Sequence, residues 1–337
     1  MKQVMASKLY FNLKECTPLV ENAYGKIIAV TSEDVPGFVN ISFASVELKQ
    51  NGCVQPIWHP NAHKLVYCTE GNVLVTMRTP TAIEKFKVEK GEMFFIPQGY
   101  VHSIENIGGK STLICALNHV QPEAMHLSNA IGAISDSVFN DTFNTQKGFV
   151  EGLKHAKLDE ILVAIKEKQA TPAPSTSQYK FNIGSSDKPI LTNGGYLQLG
   201  TKKNLPMLDG LAILGFGLNP KGAVEPHWHT NAGELVYIIS GKTRITVLAP
   251  DGNVETVEVN GGEGIFAPAS HFHNIENIGD ANVEVIAFFS HAEPDYMGIG
   301  EVVGAYSNEM LAAIFNVDPK YFDAFKKPEV PLVIVPE

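Results

Sequence analysis

The chain has 337 residues, of which 44% are hydrophobic and 18% are charged, and its formal net charge at pH 7 is −10. This length is enough for two domains of ordinary size, each with its own apolar core. The acidic excess argues against nucleic acid and against anionic membranes as partners, because both require clustered lysine and arginine. We find no apolar stretch long enough for a signal peptide or a membrane-spanning helix.

Cysteine usage bears on the cellular compartment. The four cysteines, Cys16, Cys53, Cys68 and Cys115, all lie in the first half and show no CxxC spacing. This distribution favours buried thiols in a reducing compartment over a disulfide framework. Together with the lack of a targeting segment, it predicts a cytoplasmic protein.

An internal repeat runs through almost the whole chain. The segment Pro56–Tyr67 (PIWHPNAHKLVY) matches Pro226–Tyr237 (PHWHTNAGELVY), and Gly91–Gly108 matches Gly262–Gly279. The same register, shifted by a single residue between the two blocks, continues into shorter matches on both sides. Chance does not maintain one register over so many blocks, so the chain contains two copies of one structural unit.

The predicted elements follow the same order in both copies. Each half begins with short β-rich runs, such as residues 39–46 and 211–216, separated by Gly, Pro and Asn at the spacing of an all-β sandwich or barrel. A helical tail then follows. Residues 149–168 of the first half carry apolar side chains at helical spacing.

The second helical tail carries clear capping signals. Ser307 is a predicted N-cap for a helix over residues 308–315, and Asp318–Pro319 opens another that runs to about residue 326. Between the halves, residues 169–178 are rich in Pro, Ser and Thr, which is typical of a linker. We therefore predict domains over 1–168 and 179–337.

The second copy carries a constellation of metal-ligating side chains. His227 and His229 alternate along a strand and so can face one side, Glu234 follows a turn, and His273 lies on a separate predicted strand. Three imidazoles and one carboxylate suit Mn(II), Fe(II), Co(II), Ni(II) or Zn(II). Four such ligands on a six-coordinate ion leave two positions open. We therefore predict one divalent transition metal per chain.

These residues carry a resemblance to a known family. His227, His229, Glu234 and Gly241 resemble the first cupin motif, and Gly262, Pro268, His273 and Asn277 resemble the second. Ser270 departs from the second motif, where glycine is usual. The duplicated arrangement is similar to the bicupins of the oxalate decarboxylase and germin-like group. This resemblance implies an all-β fold of two tandem cupin (double-stranded β-helix, jelly-roll) barrels, each followed by short α-helices.

The resemblance also implies a substrate and catalytic residues. Arg244 matches the position of the arginine that holds the substrate carboxylate in oxalate decarboxylases, and a guanidinium fork suits a carboxylate. A decarboxylase further needs an acid that reprotonates its product, for which Glu301 and Tyr296 are candidates. Gly298 and Gly300 predict that this segment flexes as a lid. The resemblance implies Mn as the metal and a homo-oligomer, and the predicted partner is a small anionic substrate.

The first copy departs from the pattern. It has Ile57 where the second has His227, and Lys64 where the second has Glu234, while His59 and His102 keep their places. An isoleucine offers no lone pair and a lysine repels a cation, so we predict a degenerate metal site in the first domain. His63 is an alternative ligand, but its offset by one residue turns it to the other face of a strand.

Three functions remain open from the residues alone. The first is a metal-dependent, oxalate decarboxylase-like enzyme acting on a small carboxylate at the second barrel. The second is an O2-dependent oxidase or dioxygenase at the same site. The third is a non-catalytic, storage-like protein that binds metal or ligand, which the eroded first site favours. Residue Ala287, where the family has a second acid, weakens the decarboxylase reading.

Overall fold

The computed structural model describes residues 8–146, 148–154, 160–166, 174–325 and 328–335. The chain divides into two compact units. The first unit contains Thr17–Ala29 and the described residues of Ser42–Asn182, and the second contains the described residues up to Cys16, Val30–Ile41 and those from Ile183 onward. The domain bounds 1–168 and 179–337 stay a prediction, and half of the predicted linker 169–178 lies outside the described residues.

Strands make up most of the regular structure in the described residues. In chain order they are β1 Tyr10–Asn12, β2 Val20–Asn22, β3 Gly25–Val30, β4 Ser42–Leu48, β5 Gly52–Trp58, β6 Lys64–Glu70, β7 Asn72–Arg78, β8 Ile83–Glu89, β9 Glu92–Ile96, β10 Val101–Asn106, β11 Ser111–Leu117, β12 Met125–His126, β13 Leu162–Ala164, β14 Lys180–Asn182, β15 Ile190–Thr192, β16 Gly195–Gly200, β17 Ala212–Leu218, β18 Ala223–Trp228, β19 Glu234–Ser240, β20 Lys242–Leu248, β21 Val254–Asn260, β22 Glu263–Ala267, β23 Phe272–Asn277, β24 Val283–Phe289, β25 Met297–Gly298 and β26 Ile334–Val335. The helices are α1 Leu127–Ala133, α2 Asp136–Phe143, α3 Glu151–Lys154, α4 Ile299–Gly304 and α5 Asn308–Phe315, and a 3-10 helix covers Pro319–Ala324.

Each unit is built from two antiparallel sheets. In the first unit the strand orders are β14-β9-β6-β11-β4-β3-β2 and β12-β5-β10-β7-β8, with β13 also paired to β5. In the second unit they are β1-β22-β19-β24-β17-β16-β15 and β21-β20-β23-β18-β25, with β26 also paired to β18. The matching orders confirm the repeat and the predicted all-β jelly-roll. Among the described residues of each unit, the strands form two separate sheets and do not close into one hydrogen-bonded barrel.

The core of the second unit shows why these runs become strands. Apolar residues of β17, β19 and β24 from one sheet and of β18, β20 and β23 from the other share one buried cluster. Along β20 the side chains of Thr243, Ile245 and Val247 are buried, while the residues between them are more exposed. Alternation of this kind turns every second side chain toward the facing sheet.

The helical tails match the sequence in one half and differ from it in the other. Helix α5 begins after Ser307, whose side chain accepts a hydrogen bond from Met310 N at 3.2 Å, as predicted. The helix predicted from Asp318 is the 3-10 helix that ends at Ala324. The helix predicted over 149–168 is confirmed only at α3, Glu151–Lys154, and is wrong at Leu162–Ala164, which forms β13 against β5. Backbone pairing on this edge outweighs the helical spacing; residues 155–159 and 167–168 lie outside the described part.

All four cysteines are free thiols, three of them buried, which agrees with the reading of the sequence. Burial raises the pKa of the Cys53 and Cys68 thiols to about 12, so both stay protonated at neutral pH. No helix in the described residues combines the length and apolar composition needed to cross a membrane.

Strand β1 completes the larger sheet of the second unit through an aromatic contact. Phe11 is 4% exposed and lies opposite Gly264 of β22, where a Cβ atom would collide with its ring. The ring also packs edge-on against Phe38, which in turn contacts Phe266. The glycine therefore provides the space in which Phe11 is buried.

We predict that Phe11→Ala lowers the free energy of unfolding of the second unit by about 3–5 kcal/mol, because it leaves a cavity beside Gly264. Phe181 of β14 is the matched control. It is the repeat counterpart of Phe11 but lies opposite Met93 and is only half-buried. Denaturant unfolding should show a clearly smaller loss for Phe181→Ala, and equal losses would contradict this role for the glycine.

Candidate metal centre

Four side chains converge on one buried point of the second unit. His227 is on β18, His229 follows that strand, Glu234 begins β19 and His273 is on β23, directly opposite His227. All four are buried, between 1% and 4% exposed. One ligand atom from each lies within 4.8 Å of the others. The predicted ligand set therefore comes together in space.

The separations fit a single ion. Glu234 Oε2 lies 2.8 Å from His273 Nε2, 3.1 Å from His229 Nε2 and 3.6 Å from His227 Nε2. The two Nε2 atoms of His227 and His229 are 3.2 Å apart. Ligands bound at about 2.1 Å and separated by 90–109° lie about 3.0–3.4 Å from one another. The observed spacing is close to that range.

Backbone carbonyls orient all three imidazoles. His227 Nδ1 donates to Glu225 O at 2.7 Å, His273 Nδ1 donates to His271 O at 2.8 Å, and His229 Nδ1 donates to Asp295 O. In a neutral imidazole a proton on Nδ1 leaves a lone pair on Nε2. Three lone pairs and a carboxylate oxygen therefore face each other. Such a group attracts a cation, so the donor chemistry fits a divalent metal.

The surroundings keep these groups in their metal-binding forms. Burial, aided by the neighbouring His273, lowers the pKa of His227 to about 4, so this ring is neutral at pH 7. A neutral imidazole and an ionised carboxylate are the forms that bind a metal.

Residues next to the ligands hold a covering segment in place. Asn231 accepts a hydrogen bond from Asp295 N at 2.9 Å and donates to Glu293 O at 3.0 Å, and Thr230 donates to the Asp295 carboxylate at 2.7 Å. Tyr296 of this segment stacks on the His227 ring with centroids 4.4 Å apart. Burial raises the pKa of Tyr296, and nearby Glu225 raises it further, so its hydroxyl remains a hydrogen-bond donor.

The buried carboxylate of Glu225 explains why residues 298 and 300 are glycines. Glu225 is 3% exposed and accepts hydrogen bonds from Gly300 N at 2.9 Å and Leu332 N at 2.8 Å. A Cβ atom at Gly298 or Gly300 would lie 2.6 or 2.8 Å from its carboxylate oxygens. The glycines thus make room for Glu225, and the hydrogen bonds anchor the segment that the sequence predicted to flex as a lid.

The departure at Ser270 has a structural cost. Ser270 has a φ of +61° in the turn before β23, and its repeat counterpart Gly99 has a φ of +77°. Non-glycine residues in this region pay roughly 1 kcal/mol of steric energy. Ser270 N nevertheless donates to His229 O at 2.8 Å, so the turn that leads to His273 is retained.

A cavity of about 240 Å³ opens next to His227, His229 and Glu234. Its walls are mostly apolar and include Leu199, Leu214, Phe216, Phe289 and Val333. Besides the ligand Glu234, the charged residues that line it are Lys203 and Glu293, both exposed, and Tyr296 is a further polar residue there. A site of this size suits a small molecule with few polar groups to fix its orientation.

The structure does not bring Arg244 to this cavity. Its side chain is 44% exposed and pairs with Glu276 at 3.7 Å, because β20 turns Thr243, Ile245 and Val247 inward instead. Glu301 is half-buried on α4 and is not among the residues that line the cavity. Sequence reasoning missed Lys203. The repeat contained a signal for it, because the corresponding residue of the first half is Glu33, which has the opposite charge.

The corresponding point of the first unit lacks a ligand set. Ile57 and Lys64 are both buried in place of His227 and Glu234. His63 does not replace them, since its Nδ1 accepts a hydrogen bond from Gln98 N and its ring packs on Phe95. Within the described residues, the group in the second unit is the only cluster of three or more metal-ligating side chains found.

Comparison with known proteins places both halves in one family. The family model described as Cupin matches residues 11–151 and 181–321. Oxalate decarboxylase OxdC of Bacillus subtilis is 21% identical over 314 residues, which cover 90% of this chain and 81% of that protein. An oxalate decarboxylase of Arthroderma benhamiae is 24% identical, covering 87% and 77%. A putative germin-like protein 3-2 of Oryza sativa is 29% identical over 164 residues, covering 46% and 73%.

Solved structures show the same fold. A structure of Bacillus subtilis oxalate decarboxylase, from work on the Mn(II) centres of that enzyme, has a TM-score of 0.87 at 20% identity. The match covers 99% of this chain and 90% of that chain. A variant of the same enzyme lacking residues 162–163 gives a TM-score of 0.86. At this level of identity the likeness establishes the arrangement of strands.

We predict that the purified chain carries about one transition metal ion, as its single complete ligand set requires. His273→Ala should lose most of this metal. His271→Ala is the control, because the hydrogen bond from His273 goes to the backbone carbonyl of His271, which this substitution retains. Elemental analysis after dialysis measures the metal content. About two ions per chain, or full retention in His273→Ala, would contradict the assignment.

The metal-free chain should lose stability as pH falls. The pKa of His227 is about 4 in the folded chain and 6.5 when unperturbed, so between these values only the unfolded chain takes up this proton. The free energy of unfolding therefore decreases through this window, by up to about 3 kcal/mol. Unfolding of EDTA-treated protein at pH 7 and pH 4 measures this decrease. His227→Gln should show a smaller one, and an identical decrease would refute the attribution.

Proposed function

Because the chain belongs to the cupin family, with both halves matched, we propose that its second unit is a metal-dependent decarboxylase of oxalate or a closely related small acid. The observation that carries this proposal is the buried set of His227, His229, His273 and Glu234 beside a small apolar cavity with a lysine on its wall. The relatives named oxalate decarboxylase span most of this chain, which supports the same substrate class.

The proposed metal is Mn(II), with Fe, Ni, Co and Zn as alternatives that the same ligands accept. The support for manganese is the Mn(II) centres of the Bacillus subtilis enzyme that shares this fold. When bound, the ion supplies a Lewis acid that coordinates a carboxylate oxygen and polarises the acid. Three imidazoles and one carboxylate leave coordination positions open for this purpose.

Lys203 is the proposed anchor for the substrate's second carboxylate. It is the positively charged side chain on the cavity wall, whereas Arg244 pairs with Glu276 outside the cavity. A lysine binds a carboxylate as a point charge, with less directional selectivity than an arginine fork. The other walls, among them Leu214 and Phe289, are apolar and offer a carboxylate no competing cation.

Decarboxylation of oxalate breaks the C–C bond, releases CO2 and leaves a formyl carbon that takes up one proton. We assign the proton donor to Glu293, which is among the residues that line the cavity, with Glu301 on α4 as the alternative predicted from the sequence. Tyr296 is a weaker acid because its pKa is raised. The Tyr296 hydroxyl lies 3.4 Å from Glu225 O, and the Tyr296 ring stacks on that of His227.

An O2-dependent oxidase or dioxygenase is the second candidate. The observation in its favour is Ala287, which is fully buried where the related decarboxylases carry a second acid. An apolar cavity also admits dioxygen readily. Binding without catalysis is the third candidate, and the absence of turnover with any small acid would favour it.

The proposed location is the cytoplasm, supported by four free thiols in the described residues. A homo-oligomer is also proposed. Its support is an apolar face on α5 and the 3-10 helix, where Ile314, Phe315 and Tyr321 are each more than 60% exposed. Exposed apolar patches of this kind commonly mark protein interfaces.

The Mn-loaded chain should convert oxalate to formate and CO2 without consuming O2. Formate is measured by NMR and CO2 by mass spectrometry, under argon and in air. Glu234→Gln should reduce turnover by at least about 100-fold, because it removes the only anionic ligand. Oxygen-dependent turnover would instead support the oxidase.

Paired variants in the same assay test the other side chains. Lys203→Met should raise KM by about tenfold or more through loss of the carboxylate anchor, whereas Lys202→Met next to it, whose side chain does not line the cavity, should not. Glu293→Gln should lower kcat by about 100-fold. If Glu301→Gln shows this loss and Glu293→Gln does not, the proton donor is the residue predicted from the sequence.

A further inference from the structure

A lysine is buried in the first unit at the point where the second unit has a ligand carboxylate. Lys64 is 6% exposed and begins β6, paired with Ile96 of β9 and Leu117 of β11. Glu234 begins β19 and pairs with the equivalent strands at the equivalent positions. The two side chains therefore occupy the same place in the fold, with opposite charge.

Two imidazoles are oriented toward this point, as in the second unit. His59 Nδ1 donates to Glu123 O at 2.7 Å, and His102 Nδ1 donates to Tyr100 O at 3.1 Å. The ring centroids are 6.0 Å apart. The Nε2 atoms of both rings are buried and have no hydrogen-bond partner. These are the atoms that, in the second unit, contact the carboxylate of Glu234.

The charges around Lys64 are not balanced by the protein. The charge of Lys64 acts on the rings of His59 and His102 and on the thiol of Cys115. His126 adds a third imidazole, with a buried Nδ1 that has no partner. No ion pair joins Lys64 to a carboxylate of the described residues. The group contains basic side chains without an acidic one.

This imbalance has an energetic consequence. Burial of the Lys64 side chain without an ion pair is unfavourable, and so is burial of two imidazole nitrogens without hydrogen-bond partners. A metal ion does not relieve this cost, because Lys64 repels it and Ile57 replaces the third imidazole. An oxyanion relieves it, since its oxygens accept from the ammonium group and share a proton with an imidazole nitrogen.

We propose that the first unit binds a small carboxylate at Lys64, between the imidazoles of His59 and His102. The ligand is a small monoanion such as formate or acetate, because one ammonium group and two unpartnered imidazole nitrogens match a single carboxylate group. One oxygen accepts a hydrogen bond from the Lys64 ammonium. The other shares one proton, taken up with the ligand, with an Nε2 atom. The site is independent of the decarboxylase proposed for the second unit.

Calorimetric titration of the full chain tests this site. The background is Glu234→Gln, which removes the metal-binding carboxylate of the second unit, and the probes are sodium formate and sodium acetate against sodium chloride at equal ionic strength. We expect saturable binding of one probe per chain in this background. Adding Lys64→Met should weaken it at least tenfold, and His102→Gln should do the same if Lys64→Met does not fold. Binding no stronger than that of chloride, or unchanged binding in a folded variant, would overturn the proposal.

Thermal unfolding gives an independent readout. In buffer free of carboxylates, Lys64→Met should unfold at the same temperature as the parent chain or above it, because the variant buries no ammonium. Saturating formate should raise the midpoint of the parent chain by several degrees and leave that of Lys64→Met unchanged. A variant that is much less stable than its parent without ligand would show that Lys64 already has a partner within the protein, and would refute the site.

Discussion

The second unit depends on a contact that is unfavourable without a cation: three imidazole Nε2 lone pairs face one carboxylate oxygen inside a buried site. The carbonyls of Glu225, His271 and Asp295 produce this arrangement, because each fixes the proton of one ring on Nδ1. Two of these carbonyls lie two residues before the histidine that they orient. The backbone next to His227 and His273 therefore also determines which ring nitrogen carries the proton. This local geometry leaves the Nε2 atoms available to a metal.

The two units show how little must change to reverse the chemistry of such a site. Both retain two imidazoles with a proton on Nδ1, and both hold them at equivalent positions of the repeat. Exchange of a carboxylate for an ammonium at position 64 turns a group that attracts cations into one that attracts anions. Ile57 then fills the place of the third imidazole with apolar volume. The fold tolerates either charge provided that a ligand of opposite sign is present.

Much of the fold and the ligand set could be read from the sequence, because both rest on periodicity and repetition. Alternation along a strand and a repeat of whole blocks are sufficient to place His227, His229 and His273 on inward faces. The buried face of β20 was not determined in this way. Alternation places Arg244 and Thr246 on one face, but it does not say which face is buried, and pairing with the neighbouring strand decides this. Lys203 and Glu293 lie outside the strands, where spacing has no predictive meaning.

The helix predicted over residues 149–168 failed for a related reason. Its apolar residues satisfy helical spacing, but the edge of β5 offers unpaired backbone groups that a strand at Leu162–Ala164 satisfies. Gln55 adds to this preference, since its backbone N donates to Ile161 O at 2.9 Å and its side chain donates to Glu160 O at 2.7 Å. Long-range hydrogen bonds of this kind are invisible to a local pattern.

Glu225 connects the metal ligands to the cavity, and its position is a second point at which the two units differ. Its carbonyl orients His227, and its carboxylate accepts from backbone N–H groups of α4 and of the C-terminal segment that includes Val333. Val333 and Tyr296, which both line the cavity, are thereby held relative to the metal ligands. In the first unit Gln55 stands at this position and binds a different segment. Glu225, on the strand that carries His227, thus positions the cavity walls as well as the metal ligand. The binding site and its walls therefore differ together between the two halves.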